Sequence, residues 1–152
     1  MTRSASDPAP ISSKSLGERF KEGQEQSLTI QLTEEVAQAF TQWSGDCAPL
    51  HTDSEFARSR GFEQKVVHGA ALFSLVSRFV GLGFPGPDSL WTKADVKFHN
   101  PCYAPNEITI TGVVSLVSES TSSVILAISV TDQQGTELMT VKSFHKIMNA
   151  RE

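Results

Sequence analysis

The chain has 152 residues and a mass of 16.5 kDa, the size of one domain, and its 39% hydrophobic and 20% charged residues suit a buried core. Its 13 Lys and Arg against 17 Asp and Glu give a net charge of -4 with no basic run, which argues against a nucleic-acid partner. Without an apolar stretch of about 18 residues, a hydrophobic leader, or a paired motif around Cys47 and Cys102, the expectation is a cytoplasmic protein with no membrane span and no disulfide framework.

Residues 1–15, rich in Ser, Pro and Ala without periodicity, read as a flexible tail, and residues 16–152 as a single domain. From Gln24 to Leu32 the apolar Leu28, Ile30 and Leu32 alternate with Ser27, Thr29 and Gln31, the period of a half-buried strand. Thr33 then caps a helix whose first turn carries Glu34 and Glu35 at the positive end of the dipole. Val36, Ala39, Phe40 and Trp43 fall at i, i+3, i+4 and i+7, and the helix stops at Ser44-Gly45. Asp46 to Thr52 reads as a loop, because Pro49 disfavours helix at Ala48. Asp53 caps a short helix to about Arg60, closed by Gly61.

From Gly69 to about Val80 only Ser74, Ser77 and Arg78 are polar, so this helix must be buried. Gly81, Gly83, Pro85, Gly86 and Pro87 end it in a loop. Period two then returns. Leu90, Thr92, Ala94, Val96 and Phe98 share one face of a strand, with Lys93, Asp95 and Lys97 on the other. Ile108, Ile110, Val114 and Leu116 begin the next, Val124, Leu126, Ile128 and Val130 a third, and a less regular run from Leu138 to Ile147 the last. Short connections at Ser118–Thr121 and Asp132–Gly135 predict that these four strands pair antiparallel as a meander. A long antiparallel sheet and one all-apolar helix are both satisfied when the sheet curls around the helix. The expected class is α+β with the hot-dog architecture; a flatter α+β sandwich fits the same periodicity.

Two segments carry chemistry. Asp46 and His51 stand five residues apart in a segment stiffened by Pro49, and a carboxylate and an imidazole held together can share one water as acid and base. The plainer reading makes them a turn residue and a surface imidazole. His68-Gly69 opens the buried helix, whose free N–H groups suit a carbonyl oxygen gaining negative charge; Gly69 there can equally serve tight packing, and His68 a structural role. Asp46, His51, Asp53 and His68 could be gathered around a divalent ion, but no ligand spacing supports it, so no metal is expected. Cys47 reads as a small buried filler, His99 and His145 as surface residues in strand patterns, and Trp43 and Trp91 as packing residues.

Several motifs occur in order: Phe40-x-x-Trp43-Ser44-Gly45-Asp46-x-x-Pro49-Leu50-His51-x-Asp53-x-x-Phe56-Ala57, then Gly61-Phe62, then Val67-His68-Gly69, with Phe84-Pro85-Gly86-Pro87 and Val96-x-Phe98-x-x-Pro101-x-Tyr103 further on. Together they resemble the signature of MaoC-like dehydratases, the (R)-specific enoyl-CoA hydratases of the hot-dog superfamily, over roughly Leu16 to Ile147. The resemblance implies that Asp46 and His51 are the catalytic pair and that the Gly69 amide, beside His68, receives the thioester oxygen. It implies reversible addition of water to a trans-2-enoyl thioester, giving an (R)-3-hydroxyacyl product, with CoA favoured over acyl-carrier protein. It also implies a homodimer, and no cofactor beyond the CoA of the substrate. The buried helix and the loop from Gly81 to Ser89 are expected to shape the acyl pocket.

The chain departs from the family pattern at Ala48, where Asn is usual before Pro-Leu-His, at Asp88, where Gly is common, and at Ala104-Pro105-Asn106, which replaces a Pro-Gly turn. Two rival readings remain at this level: a hot-dog acyl-CoA thioesterase, and a non-catalytic module that binds acyl thioesters.

Overall fold

Alternation of apolar and polar residues becomes five strands, β1 (Glu25–Leu32), β2 (Ser89–Phe98), β3 (Asn106–Ser118), β4 (Ser123–Thr131) and β5 (Glu137–Ile147), in a computed structural model that describes residues 15–148. They form one curved antiparallel sheet in the order β1-β3-β4-β5-β2. The turns at residues 119–122 and 132–136 join β3, β4 and β5 as the expected meander. β2 corrects it: this strand pairs with β5 at the far edge and not with β3, so residues 99–105 carry the chain back across the sheet. Periodicity identifies a strand without identifying its partner.

Ile108 and Ile110 of β3, Val124, Leu126 and Val130 of β4 and Met139 of β5 are fully buried. They form one core with Ala71, Leu72 and Val76 of the helix α5 (Gly69–Arg78) and with Phe79 and Val80 of the π-helical turn Phe79–Gly83 that follows it. Removing such side chains from water contributes roughly 1.5–3 kcal/mol each. Helix and sheet meet closely. A Cβ on Gly112 of β3 would lie 2.7 Å from the Phe79 ring, so glycine makes room for the aromatic there. This is the hot-dog arrangement expected from the sequence.

β2 does not keep one face throughout. Its register against β5 shifts between Trp91 and Lys93, so Leu90 is 56% exposed while Trp91 turns inward onto Phe73, ring centroids 5.1 Å apart. The single face expected for Leu90 through Phe98 is therefore broken by a bulge.

The remaining helices are short and well capped. Ser15, the one residue of the expected tail that lies within the described residues, caps α1 (Leu16–Arg19): its hydroxyl accepts from the Glu18 N–H and its own N–H donates to the Glu18 carboxylate. Thr33 caps α2 (Glu34–Ser44), which Gly45 ends at φ 72°. The expected stripe on α2 is rotated, however. Ala37 and Phe40 pack against the core, whereas Val36 is 46% and Trp43 84% exposed, so Trp43 is not a packing residue. The segment read as a loop contains a helical turn, α3 (Pro49–Thr52), with Pro49 at its first position and Ala48 extended before it. Asp53 caps α4 (Ser54–Ser59) by accepting from the Glu55 and Phe56 N–H groups. Asp88, one of the departures from the family pattern, pairs with Arg19 at 3.0 Å. No helix among the described residues is long and apolar enough to cross a membrane.

Candidate active site

Asp46 lies in the exposed link between α2 and α3. Its N–H donates to the Ser44 hydroxyl, and its Oδ1 accepts from the Ala48 N–H at 3.1 Å. That turn orders the backbone at Ala48, where the family pattern places an amide side chain. His51, in α3, has Nδ1 2.7 Å from the Val66 carbonyl. A carbonyl only accepts, so Nδ1 carries the proton in the neutral ring and Nε2 keeps the lone pair.

His68 ends the segment before α5 and is 4% exposed. Its Nε2 lies 3.0 Å from the Asp46 carbonyl, to which it donates, and 3.6 Å from Asp46 Oδ2. Its ring stacks on His51 with centroids 3.8 Å apart and packs against Phe40 at 5.1 Å. The fold thus gathers three of the predicted site residues: a carboxylate oxygen of Asp46 and ring nitrogens of His51 and His68 lie within 4.8 Å of one another. A water making two hydrogen bonds bridges groups roughly 4.5 Å apart, so the gap between Asp46 and His51 suits one water.

The same cluster is a poor cage for a resident metal. Two stacked imidazoles, 26° apart, keep their in-plane lone pairs in two separate layers instead of converging on one point, and His68 Nε2 is engaged as a donor. Asp53 does not join the cluster; its carboxylate caps α4.

Beside the cluster an apolar cavity of about 700 Å³ is lined by His51 and Gly69 together with Phe62, Leu72, Phe73 and Phe98, a size and character suited to a small organic ligand. The loop from Gly81 to Ser89 contributes nothing to its lining, contrary to expectation; Val96 and Phe98 at the end of β2 and residues 99–102 of the crossing segment take that place. Gly69 is the first residue of α5. The Ala71 and Leu72 N–H groups donate to the His68 carbonyl, whereas the Gly69 N–H precedes the first intrahelical bond and lies at the positive end of the helix. A Cβ at Gly69 would meet Phe98 Cε1 at 2.8 Å, so glycine is required here for packing as well.

Two other expectations change, at Cys47 and His145. Cys47 is exposed, not a buried filler. Cys102, which lines the cavity, has its thiol pushed up to about 12 by burial, which keeps it protonated and a poor nucleophile. His99, exposed as expected, stands in the crossing segment beside Thr140 and Glu137, whereas His145, read as a surface residue, is 1% exposed. Sequence reasoning also missed the Val66 carbonyl that sets the His51 tautomer and the Phe98 ring over Gly69; contacts across such separations leave no local signal.

A family model described as the MaoC like domain matches residues 15–134. The chain is 30% identical over 125 residues to the (R)-specific enoyl-CoA hydratase of Aeromonas caviae, covering 82% of this chain and 93% of that protein. It is 34% identical over 98 residues to a mitochondrial 3-hydroxyacyl-[acyl-carrier-protein] dehydratase of Arabidopsis thaliana, covering 64% and 56% of the two chains. Among solved structures, the (R)-hydratase from A. caviae involved in PHA biosynthesis superposes with a TM-score of 0.79 at 29% identity, covering 84% of this chain and 97% of that one.

Proposed function

Because the chain belongs to the MaoC-like domain family, we propose that it is a hydro-lyase that reversibly adds water to trans-2-enoyl thioesters, enoyl-CoA to (R)-3-hydroxyacyl-CoA. The observation that carries this reading is the approach of the Asp46 carboxylate and the His51 ring within one water's span, beside a cavity that His51 and Gly69 line. In the proposed step Asp46 and His51 hold that water over C3 of the enoyl group. As its oxygen bonds to C3, one proton passes to the pair, and the His51 Nε2 lone pair is free to take it. The C2–C3 electrons move toward C1, and the carbonyl oxygen becomes an enolate oxygen that the Gly69 N–H stabilises. Return of a proton from the pair to C2 completes the addition. Only protons and water move, so the reading requires no metal and no redox cofactor, and CoA enters as part of the substrate.

CoA is favoured over carrier protein by the nearly full-length likeness to a CoA-dependent hydratase. A reducing cytoplasm is supported by two cysteines that are both free. The proposed assembly is a homodimer joined along β2, a sheet-edge strand on which Val96 and Phe98 are 37% and 54% exposed. An apolar edge of that kind invites pairing with another strand. Light scattering at micromolar concentration should then give twice the 16.5 kDa chain mass; a monomer mass would overturn the dimer and leave the chemistry standing.

The reaction is tested by mixing the protein with crotonyl-CoA, following loss of the conjugated enoyl absorbance, and assigning the product with a dehydrogenase specific for (R)-3-hydroxyacyl-CoA. Release of free thiol would make the protein a thioesterase. Calorimetric binding of acyl-CoA without turnover would make it a binding module.

A further inference from the structure

The exposed link that carries Asp46 has little to hold it. Its other side-chain hydrogen bonds among the described residues are local: Asp46 to Ser44, Ala48 to Asp46, and the Thr52 hydroxyl to the Cys47 and Ala48 carbonyls. One bond reaches it from elsewhere in the chain, donated by His68 Nε2 to the Asp46 carbonyl across 22 residues at 3.0 Å. The donating ring is itself immobilised. It is buried, it stacks on His51, it meets Phe40 on α2, and its backbone carbonyl accepts from the Ala71 and Leu72 N–H groups of α5. The partner of the second proposed catalytic group, His51 Nδ1, is the Val66 carbonyl just two residues before His68.

From this arrangement we propose that His68 is a positioning residue that fixes Asp46, His51 and the Gly69 amide relative to one another. This rests on the hydratase reading and extends it. His68 transfers no proton: its Nε2–H is spent on a backbone carbonyl, and the ring is spent as a flat surface for His51. Its effect is on where the Asp46 carboxylate stands, and an error of about 1 Å in such a group is worth roughly 100-fold in rate.

Two substitutions separate the two uses of the ring. His68→Phe keeps the flat aromatic surface and loses the donor. His68→Gln loses the stacking and returns an N–H donor near the position of Nε2. With crotonyl-CoA, His68→Phe should lower kcat by about 100-fold and leave KM within about twofold, because the cavity and Gly69 are unchanged. His68→Gln should recover kcat to within about tenfold of the parent. Hydrogen exchange read by mass spectrometry supplies a measurement that needs no turnover: amides of residues 45–48 should exchange faster in His68→Phe and at nearly the parental rate in His68→Gln, with α5 protected in both. Parental kcat or parental loop protection in His68→Phe would overturn the proposal. So would equal loss of activity in the two variants with the loop still protected, since the imidazole would then be the proton carrier. If the parent protein does not hydrate crotonyl-CoA, the hydratase reading fails by itself, and the exchange rates still decide whether His68 tethers the loop.

Discussion

Asp46→Asn and His51→Ala should each lower hydration of crotonyl-CoA by roughly 100-fold or more, the scale on which loss of a positioned acid or base is felt. Asparagine is nearly isosteric with Asp46 and retains the oxygen that accepts from the Ala48 N–H, so the turn survives while the charge is lost. His51 lines the cavity, so His51→Ala should raise KM as well; for Asp46→Asn KM should change little, because in the proposed reaction the acyl chain and the thioester rest on the cavity wall and the Gly69 N–H, neither of which that substitution touches. The loss therefore falls on kcat, as expected for a contact made with the water and not with the bound acyl group. The double variant should be scarcely slower than the worse single one, since a water gripped by one partner alone is already misplaced. Initial rates and Michaelis curves on the three proteins test this. Full turnover in either single variant would remove that residue from the mechanism.

How much of this was legible in the sequence depends on the range of the interaction. Local rules worked. Thr33 and Asp53 cap the helices they were expected to cap, and the twofold alternation of Ile108, Ile110, Leu126, Ile128 and Val130 places each of them inside. The apolar run from Ala70 to Val80 marked the core helix, but its burial is one-sided: Ala71, Leu72 and Val76 face the core, whereas Ala70, Ser74, Ser77 and Arg78 form an exposed face. Where a prediction needed to know which neighbour covers a surface, it failed. The heptad-like spacing through Trp43 identified a helix, but it is the side bearing Ala37 and Phe40 that packs on the core, with Phe40 against His68, leaving the indole in solvent. β2 was recognised as a strand, yet its pairing with β5 and the bulge beside Trp91 depend on residues some fifty positions away.

The site divides along the same line. The spacing of Asp46 and His51 and the His-Gly step before the buried helix could be read locally, and the family resemblance gave them roles. What orients them could not. The His68 donor to Asp46 and the Val66 acceptor for His51 are bonds to main-chain carbonyls 22 and 15 residues away, and every residue type offers such a carbonyl. His145 shows how a signal can be present and misread. On β5 the buried residues Met139, Val141, Ser143, His145 and Ile147 alternate perfectly, but two of them are polar, and a polar residue in a strand pattern reads as exposed.

That buried imidazole makes the fold sensitive to mild acid. His145 is packed beside Trp91, and one ring nitrogen bonds the Ser143 hydroxyl; Nδ1 has no partner among the described residues. Burial pushes its pKa down from 6.5 to about 4, so the ring is neutral in the folded chain at pH values where an unfolded chain would already be protonated. Its influence on stability follows from that difference in bound protons: above pH 6.5 neither state holds the proton, and below it the unfolded state gains it first. Stability therefore falls as pH drops from about 6.5 to about 4, by about 3 kcal/mol in all at 1.36 kcal/mol per pH unit, and this residue adds no further loss below that window.

Glu18 and Glu35 act in a different range. Their carboxyls are held below the usual 4.5, by the Ser15 N–H and the Thr33 hydroxyl respectively, so their contributions are lost only as pH falls below that value. Replacing the buried polar pair together, His145→Leu with Ser143→Ala, avoids stranding the hydroxyl. Swapping both partners for apolar groups is close to neutral near pH 7.5. Urea unfolding at pH 7.5 and pH 4.5 should show the parent losing roughly 2–3 kcal/mol more than the double variant between the two conditions, most of the full effect. Equal losses in the two proteins would mean that His145 is protonated in the folded state and that its ring is reached by water.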